Sequence, residues 1–166
     1  MTEGHISSGG DVTLTREDDD WMRQALAQAA RAATEGEVPV GAVAVFNDQI
    51  IGRGYNRKES DQDPTAHAEM AALRAAAKYL DNWRLIGVTL YSTLEPCPMC
   101  AGAMIQARLG RLVYGAPDIR FGAVETVVKL LDQPAFNHRV EVKAGVLETE
   151  AADLLQSFFK RLRAAS

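Results

Sequence analysis

The stretch from residue 88 to 114 restricts the fold more than any other part of the chain. Residues 88–94 read as a short apolar strand closed by Glu95-Pro96. Residues 98–108 read as a helix opened by a proline, and 111–114, after Gly110, as a second strand. A helix returned to a strand by so short a connection gives a βαβ unit with parallel strands, and such units belong to layered α/β folds. The chain's only two cysteines sit at the head of that helix, in Pro96-Cys97-Pro98-Met99-Cys100. That is too few for a disulfide-stapled scaffold and typical of metal or redox chemistry.

The remaining elements fit around this unit. Thr15 is a capping hydroxyl, and Glu17, Asp18, Asp19 and Asp20 read as helix-start electrostatics, so a helix is expected from there to Glu35-Gly36, before Pro39. Its inward face is read as Met22, Leu26, Ala29, Ala30 and Ala33. Residues 41–46 and 49–55 form a strand pair around the turn Asn47-Asp48, and the alanine-rich run 66–79 is a helix with His67 and Glu69 in its first turn. In 118–133, Val124, Val127, Val128 and Leu131 fit one helical face, although the β-branched run works against it. Residues 140–142 read as a short strand, and 148–163 as an amphipathic helix with Leu154, Leu155, Phe158 and Leu162 inward.

A chain of 166 residues, 47% apolar and 24% charged, suits one globular core. Residues 1–14 read as a flexible leader and 15–166 as a single domain. The start has no basic segment followed by an apolar run, so no secretory signal is expected, and no apolar stretch approaches the roughly 20 residues of a membrane span. The expected location is cytoplasmic. A net charge of −4 argues against a generic nucleic-acid binder but allows a local basic face. Arg108, Arg111, Arg120, Lys129, Arg139, Lys160, Arg161 and Arg163 are its candidates, although the last three also suit the end of a helix by dipole complementarity.

Chemistry concentrates on four residues. His67 offers an imidazole and Cys97 and Cys100 offer thiolates, which is the three-ligand set of a catalytic zinc site with one position left for water. Such a zinc makes water a nucleophile near neutral pH, able to attack a carbon bearing an exocyclic amine. Glu69, two residues from a ligand, is placed to move the protons and is read as catalytic, not as a ligand. Two other readings stand beside this one. A CxxC pair alone also suits redox chemistry, but that does not require an H-x-E upstream. A closed structural zinc site needs a fourth ligand, and His138, the only other histidine outside the leader, would leave Glu69 without a role; His138 reads more simply as a packed or loop residue.

His67-Ala68-Glu69 followed by Pro96 to Cys100 resembles the H-x-E and P-C-x-x-C signature of zinc base deaminases. Longer matches extend the likeness over residues 20–163. They are Glu37-Val38-Pro39-Val40-Gly41-Ala42-Val43, Asp63-Pro64-Thr65-Ala66, Thr93-Leu94-Glu95, Ala101-Gly102-Ala103-Met104-Ile105 and Asn137-His138-Arg139-Val140. Together these resemble the bacterial tRNA-specific adenosine deaminases of the cytidine-deaminase-like superfamily. The resemblance implies a three-layer α/β/α fold with a five-stranded mixed sheet and a homodimer with one zinc per subunit. It also implies conversion of adenosine to inosine at the wobble position of a tRNA anticodon loop.

By position, Asn56 would hydrogen-bond the flipped base, Val40 would pack against it, and Ala66 and Pro96 would line the pocket. One segment departs from the pattern: Phe121-Gly122-Ala123-Val124-Glu125-Thr126-Val127 stands where small residues are usual. There Asp118 and Phe121 become candidate substrate contacts, Phe121 as a possible stacking surface, while Glu125 would repel a phosphate. This departure keeps open a second function with the same chemistry, deamination of a free base or nucleoside such as guanine, cytosine or adenosine. A third is a non-catalytic zinc-stabilised RNA-binding module.

Overall fold

The computed structural model describes the backbone of residues 9–166 and side chains from Asp18 onward. Five helices surround five strands: α1 (Gly9–Thr34), β1 (Gly41–Phe46), β2 (Gln49–Tyr55), α2 (Lys58–Asp61), α3 (Ala68–Leu80), β3 (Thr89–Leu94), α4 (Pro98–Gln106), β4 (Arg111–Ala116), β5 (Glu141–Lys143) and α5 (Glu148–Ala165), with a 3-10 turn at Leu130–Asp132. The sheet order is β2-β1-β3-β4-β5. β1 is antiparallel to β2 and β3, whereas β3, β4 and β5 run parallel, so the sheet is mixed and α4 is the crossover of the expected βαβ unit. Asn47 and Asp48 both have positive φ, 50° and 57°, as a two-residue turn matched to the strand twist requires.

Alternation along β1 builds three layers. Ala42 and Ala44 join the core under α3 and α4, with Ala72, Leu90, Met104 and Leu112. Val43 and Val45 join the opposite core, with Met22, Ala25, Tyr91 and Val113. Alanine on the helices allows close approach to glycine on the strands: a Cβ on Gly41 would strike the α1 backbone at Ala25 and Ala29, and one on Gly54 the carbonyl of Ala68. Gly54 thereby fixes the start of α3, where the chemistry lies. No helix among the described residues is long and apolar enough to cross a membrane.

Several expectations need correction. Helix α1 is described from Gly9, ahead of the Thr15 cap, while residues 1–8 of the expected leader lie outside the described residues. Its buried stripe is Met22, Ala25, Ala29 and Ala32, and Ala30 is exposed, because the helix lies flat on β1 along an i, i+3, i+7 row. Leu162 is 56% exposed and the residues around it in the last turns of α5 are exposed too, whereas Ala151 and Phe158 are the buried positions of this helix, which packs chiefly on β4. The 118–133 segment is no α-helix. Val124 and Leu131 are buried, Val127 and Val128 are exposed, and the only helical turn is Leu130–Asp132.

Asp18 lies inside α1 and not in the helix start that Glu17, Asp18, Asp19 and Asp20 were expected to form. It is buried and receives a two-pronged hydrogen bond from Arg111 (2.9 and 2.9 Å), one from Lys143 (2.9 Å) and one from the Tyr91 hydroxyl (2.7 Å), pinning α1 to β3, β4 and β5. Burial opposes its ionisation, but the hydrogen bonds from Arg111, Lys143 and Tyr91 outweigh it and hold the carboxyl at about 2, against 3.8 ordinarily. A carboxyl lowered by folding contributes stability that is fully present above its unfolded value and is lost as pH falls through the folded one. Asp18→Asn is therefore expected to lower unfolding stability by about 2 kcal/mol at pH 7, with the gap narrowing from pH 4 toward pH 2. Urea midpoints of both proteins across that range check it; a gap that stays constant would contradict the role.

Candidate active site

Two helix starts meet at one point. His67 is the N-cap of α3 (φ −85°, ψ 151°) and Cys97 the N-cap of α4 (φ −75°, ψ 173°), and neither side chain caps its own helix. Extended φ/ψ at both caps turns the two side chains out of their helices and toward each other. His67 thus precedes the first turn in which it was expected, while Glu69 and Cys100 lie within first turns. The backbone around them is tied to the sheet. Arg57 N–H donates to the Ala66 carbonyl at 3.0 Å, and Glu95 N–H to the Ala116 carbonyl at 2.8 Å.

The donor set fits zinc. Cys97 Sγ and Cys100 Sγ each lie 3.5 Å from His67 Nδ1, and the three ligand atoms fall within 4.8 Å of one another. Tetrahedral zinc with Zn–S near 2.3 Å and Zn–N near 2.0 Å sets sulfur and nitrogen about 3.5 Å apart. No fourth His, Cys, Asp or Glu joins this group among the described residues. His138 is elsewhere, its Nε2 hydrogen-bonded to the Leu109 carbonyl at 2.7 Å, which is the packed role expected of it. The His67, Cys97 and Cys100 side chains are thus positioned to hold a single zinc ion, as a three-ligand centre.

Electrostatics set the three ligands apart: Cys97 is readied as a thiolate, whereas Cys100 and His67 hold their protons more tightly and must release them to a metal. The Cys97 thiol is lowered to about 4 because the Cys100 S–H donates to it and the His67 ring adds a second bond, enough to outweigh burial. Cys100 is pushed up by the same sulfur–sulfur bond and by burial. The unpaired N–H groups at both helix starts also favour negative charge there. His67 is raised by its bond to Cys97. Glu69 is fully buried, and burial raises its carboxyl above 4.5; the Cys100 thiol is a hydrogen-bond neighbour, and His67 and Cys97 both act on it electrostatically. A buried carboxyl raised toward neutrality beside a metal group has the properties of a proton carrier.

The residues expected to contact substrate differ in burial and in the bonds they already make. Asn56 is buried at the end of β2; its Nδ2 donates to the Val38 carbonyl (3.2 Å) and its Oδ1 accepts from Lys58 N–H (3.2 Å). An amide with two N–H bonds and two lone pairs keeps one of each for another partner. Val40 is half-buried beside it and accepts Asn56 N–H at 3.0 Å. Pro96 is buried, Ala66 half-buried. Asp118 Oδ1 accepts Arg120 and Phe121 N–H groups, so that oxygen forms a turn, and Phe121 is 63% exposed. Of the basic candidates, Arg111 is bound to Asp18 and Arg139 to Asp132.

Two buried carboxylates escaped the sequence reading. Glu37 accepts the Glu59 and Ser60 N–H groups at 3.1 and 2.7 Å, standing in for the missing side-chain cap of α2. Glu95 accepts the N–H groups of Asp118, Val124, Glu125 and Thr126 and the Thr126 hydroxyl. These bonds take the amides that a helix over 118–133 would have needed, which is why none forms. Burial opposes ionisation of Glu95, but the bonds from Glu125, Thr126 and Asp118 outweigh it and hold its carboxyl low. The available signal was an acidic residue within two positions of a proline at the edge of an apolar strand, as in Glu37-Val38-Pro39 before β1 and Leu94-Glu95-Pro96 after β3.

A three-ligand metal group between two helix starts, with a buried carboxyl at its side, suits hydrolytic loss of an amine, and the chain is an enzyme of the zinc-dependent deaminase class. A family model described as MafB19-like deaminase matches residues 16–163. The tRNA-specific adenosine deaminase of Bacillus subtilis (strain 168) is 48% identical over 147 residues, covering 89% of this chain and 91% of its own. A structure from studies of A-to-I editing by tRNA:A34 deaminases at the wobble position of transfer RNA superposes with TM-score 0.79 at 46% identity, covering 82% of this chain and 99% of that one. A guanine deaminase from Nitrosomonas europaea reaches TM-score 0.73 at 25% identity, covering 84% and 83%. The chain belongs to the tRNA-specific adenosine deaminase family.

Proposed function

We propose that the chain converts adenosine to inosine at the wobble position of a tRNA anticodon loop. The observation that carries the chemistry is the 3.5 Å spacing of both cysteine sulfurs from His67 Nδ1 beside the fully buried Glu69. The 48% identity to a tRNA-specific adenosine deaminase over most of both chains supports the substrate. His67, Cys97 and Cys100 hold the metal. Zinc, when bound, supplies the Lewis acidity that lets a water act as nucleophile near neutral pH. Glu69 takes one proton from the water attacking C6 and delivers it to the ring nitrogen N1; it then takes the second proton from the oxygen now bonded to C6 and gives it to the amine, so that C6=O forms as the C6–N bond breaks and ammonia leaves.

Around the base, Asn56 uses its remaining N–H and lone pair on the purine edge, with Val40 against the ring and Ala66 and Pro96 lining the floor. An anticodon loop suits such a site because its bases are already partly unstacked, and Asp118 and Phe121 lie on the segment that meets flanking nucleotides. Two copies associate as a homodimer, each with its own zinc. The buried Ile105, the half-buried Leu130 and the exposed Phe136 line one shallow cavity of about 200 Å³ that no metal ligand lines, an apolar surface available to a second copy. Sedimentation measures that stoichiometry.

The direct test incubates zinc-loaded protein with an anticodon stem-loop RNA carrying adenosine at the first anticodon position, and separately with adenosine, cytosine and guanine. Digestion and mass spectrometry should find inosine in the RNA, with equimolar ammonia. Ammonia from a free base with no inosine in any RNA would replace this reading with a base deaminase. RNA binding without ammonia would replace it with a non-catalytic module.

A further inference from the structure

The segment between β4 and β5 contains a short 3-10 turn but no α-helix or strand, yet its backbone is fixed from outside. Glu95, 1% exposed, collects N–H groups from Asp118 (3.1 Å), Val124 (3.1 Å), Glu125 (2.8 Å) and Thr126 (3.0 Å), together with the Thr126 hydroxyl. One residue on, the Pro96 carbonyl accepts Ala123 N–H at 2.9 Å. Gly122 completes the fit, since a Cβ there would lie 2.5 Å from the Glu95 carboxylate and from the Asp118 carbonyl. Ala123 and Val124 are buried against the core as anchors. Between the anchored points the segment displays Ile119 at 81% exposure and Phe121 at 63%, with Arg120 between them exposed as well.

A buried carboxylate is costly unless its lone pairs are filled, and here a single segment fills them. Cys97 lies two residues beyond Glu95, so the frame that sets the metal ligand also sets the displayed side chains. An aromatic ring, a branched apolar side chain and a guanidinium side by side suit stacking on unpaired bases and contact with phosphate. We propose that Glu95 is a positioning residue for RNA: it locks 118–126 beside the Pro96-Cys97 turn and so fixes where Ile119, Arg120 and Phe121 meet the nucleotides flanking the reacting adenosine. This rests on the RNA reading of the preceding section.

The test compares wild type with Glu95→Gln, Gly122→Ala and Thr126→Val. Contacts made to the flanking RNA in both ground and transition states act on KM, so Glu95→Gln and Gly122→Ala should raise KM for the anticodon stem-loop by about tenfold or more while kcat at saturation changes less than about threefold. Thr126→Val, which removes one bond of the five, should shift KM less in the same direction. Zinc content should stay at one per chain, and amide exchange at Val124, Glu125 and Thr126 should accelerate in Glu95→Gln. An unchanged KM in Glu95→Gln would overturn the proposal, as would loss of zinc and kcat with KM unmoved, which would make Glu95 a support of the metal turn alone. Should Glu95→Gln fail to fold, the other two variants decide, and unmoved KM in both overturns it. Wild-type protein that makes no inosine in this RNA rejects the RNA reading itself, before any variant is compared.

Discussion

Glu69→Ala is expected to keep one zinc per chain and to lose at least about a thousandfold in turnover. The two halves of that outcome have separate causes. Zinc retention follows because the metal group is His67, Cys97 and Cys100, whose mutual spacing does not involve the Glu69 carboxyl. Loss of turnover follows because both protons that the reaction moves pass through one group. No other acidic side chain belongs to the metal cluster among the described residues to replace it. Elemental analysis and an ammonia assay on the same preparation check both halves; a zinc-free variant would make Glu69 a ligand, and an active one would remove its role in proton transfer.

Cys97→Ala has a different expected signature. Two ligands on separate helices hold zinc far more weakly than three, so metal content should fall from one per chain to near zero and turnover with it. Stability should fall too, because an ion bound only by the folded chain shifts unfolding by about 2.7 kcal/mol at a hundredfold excess over its dissociation constant. For a chain of this size that is a drop of roughly 5–10 °C in Tm. Calorimetry of wild type with and without a chelator should show the same drop, and the variant should show no chelator effect. A chelator-sensitive Cys97→Ala protein of normal zinc content would mean that the metal sits elsewhere.

Each half of the metal group was readable locally, because His67 with Glu69 and Cys97 with Cys100 are pairs whose spacing at one helix start decides their geometry. The meeting of the halves, at separations of 30 and 33 positions, came from the resemblance to the deaminase signature, and no such signature covered the 118–133 segment. The βαβ unit was legible locally, since a short helix-to-strand return leaves one topology. Glu95 acts on amides 23 to 31 positions away, and Asp18 on Arg111 and Lys143 at separations of 93 and 125. No periodicity encodes such pairings. Val124, Val127, Val128 and Leu131 fit a helical face on paper, but the segment's amides were already taken by a carboxylate from β3's end.

Asn56 shows a subtler limit. The family resemblance made it a base contact, whereas the structure shows it tying the end of β2 to Val38 and Lys58 while leaving hydrogen-bonding capacity for a base. The alanine-rich character of α1 and α3 was readable as helix propensity, yet its purpose is spatial. Ala25 and Ala29 let α1 approach Gly41 on one face of the sheet, and Ala68 lets α3 approach Gly54 on the other, at the helix start that carries His67 and Glu69.

X-ray absorption at the zinc edge of the wild-type, zinc-loaded protein reads the centre of this account without a variant or a substrate. Two sulfur scatterers near 2.3 Å and two lighter nitrogen or oxygen scatterers near 2.0 Å are the predicted shell. A shell with no sulfur, or with sulfur from one cysteine only, would contradict it.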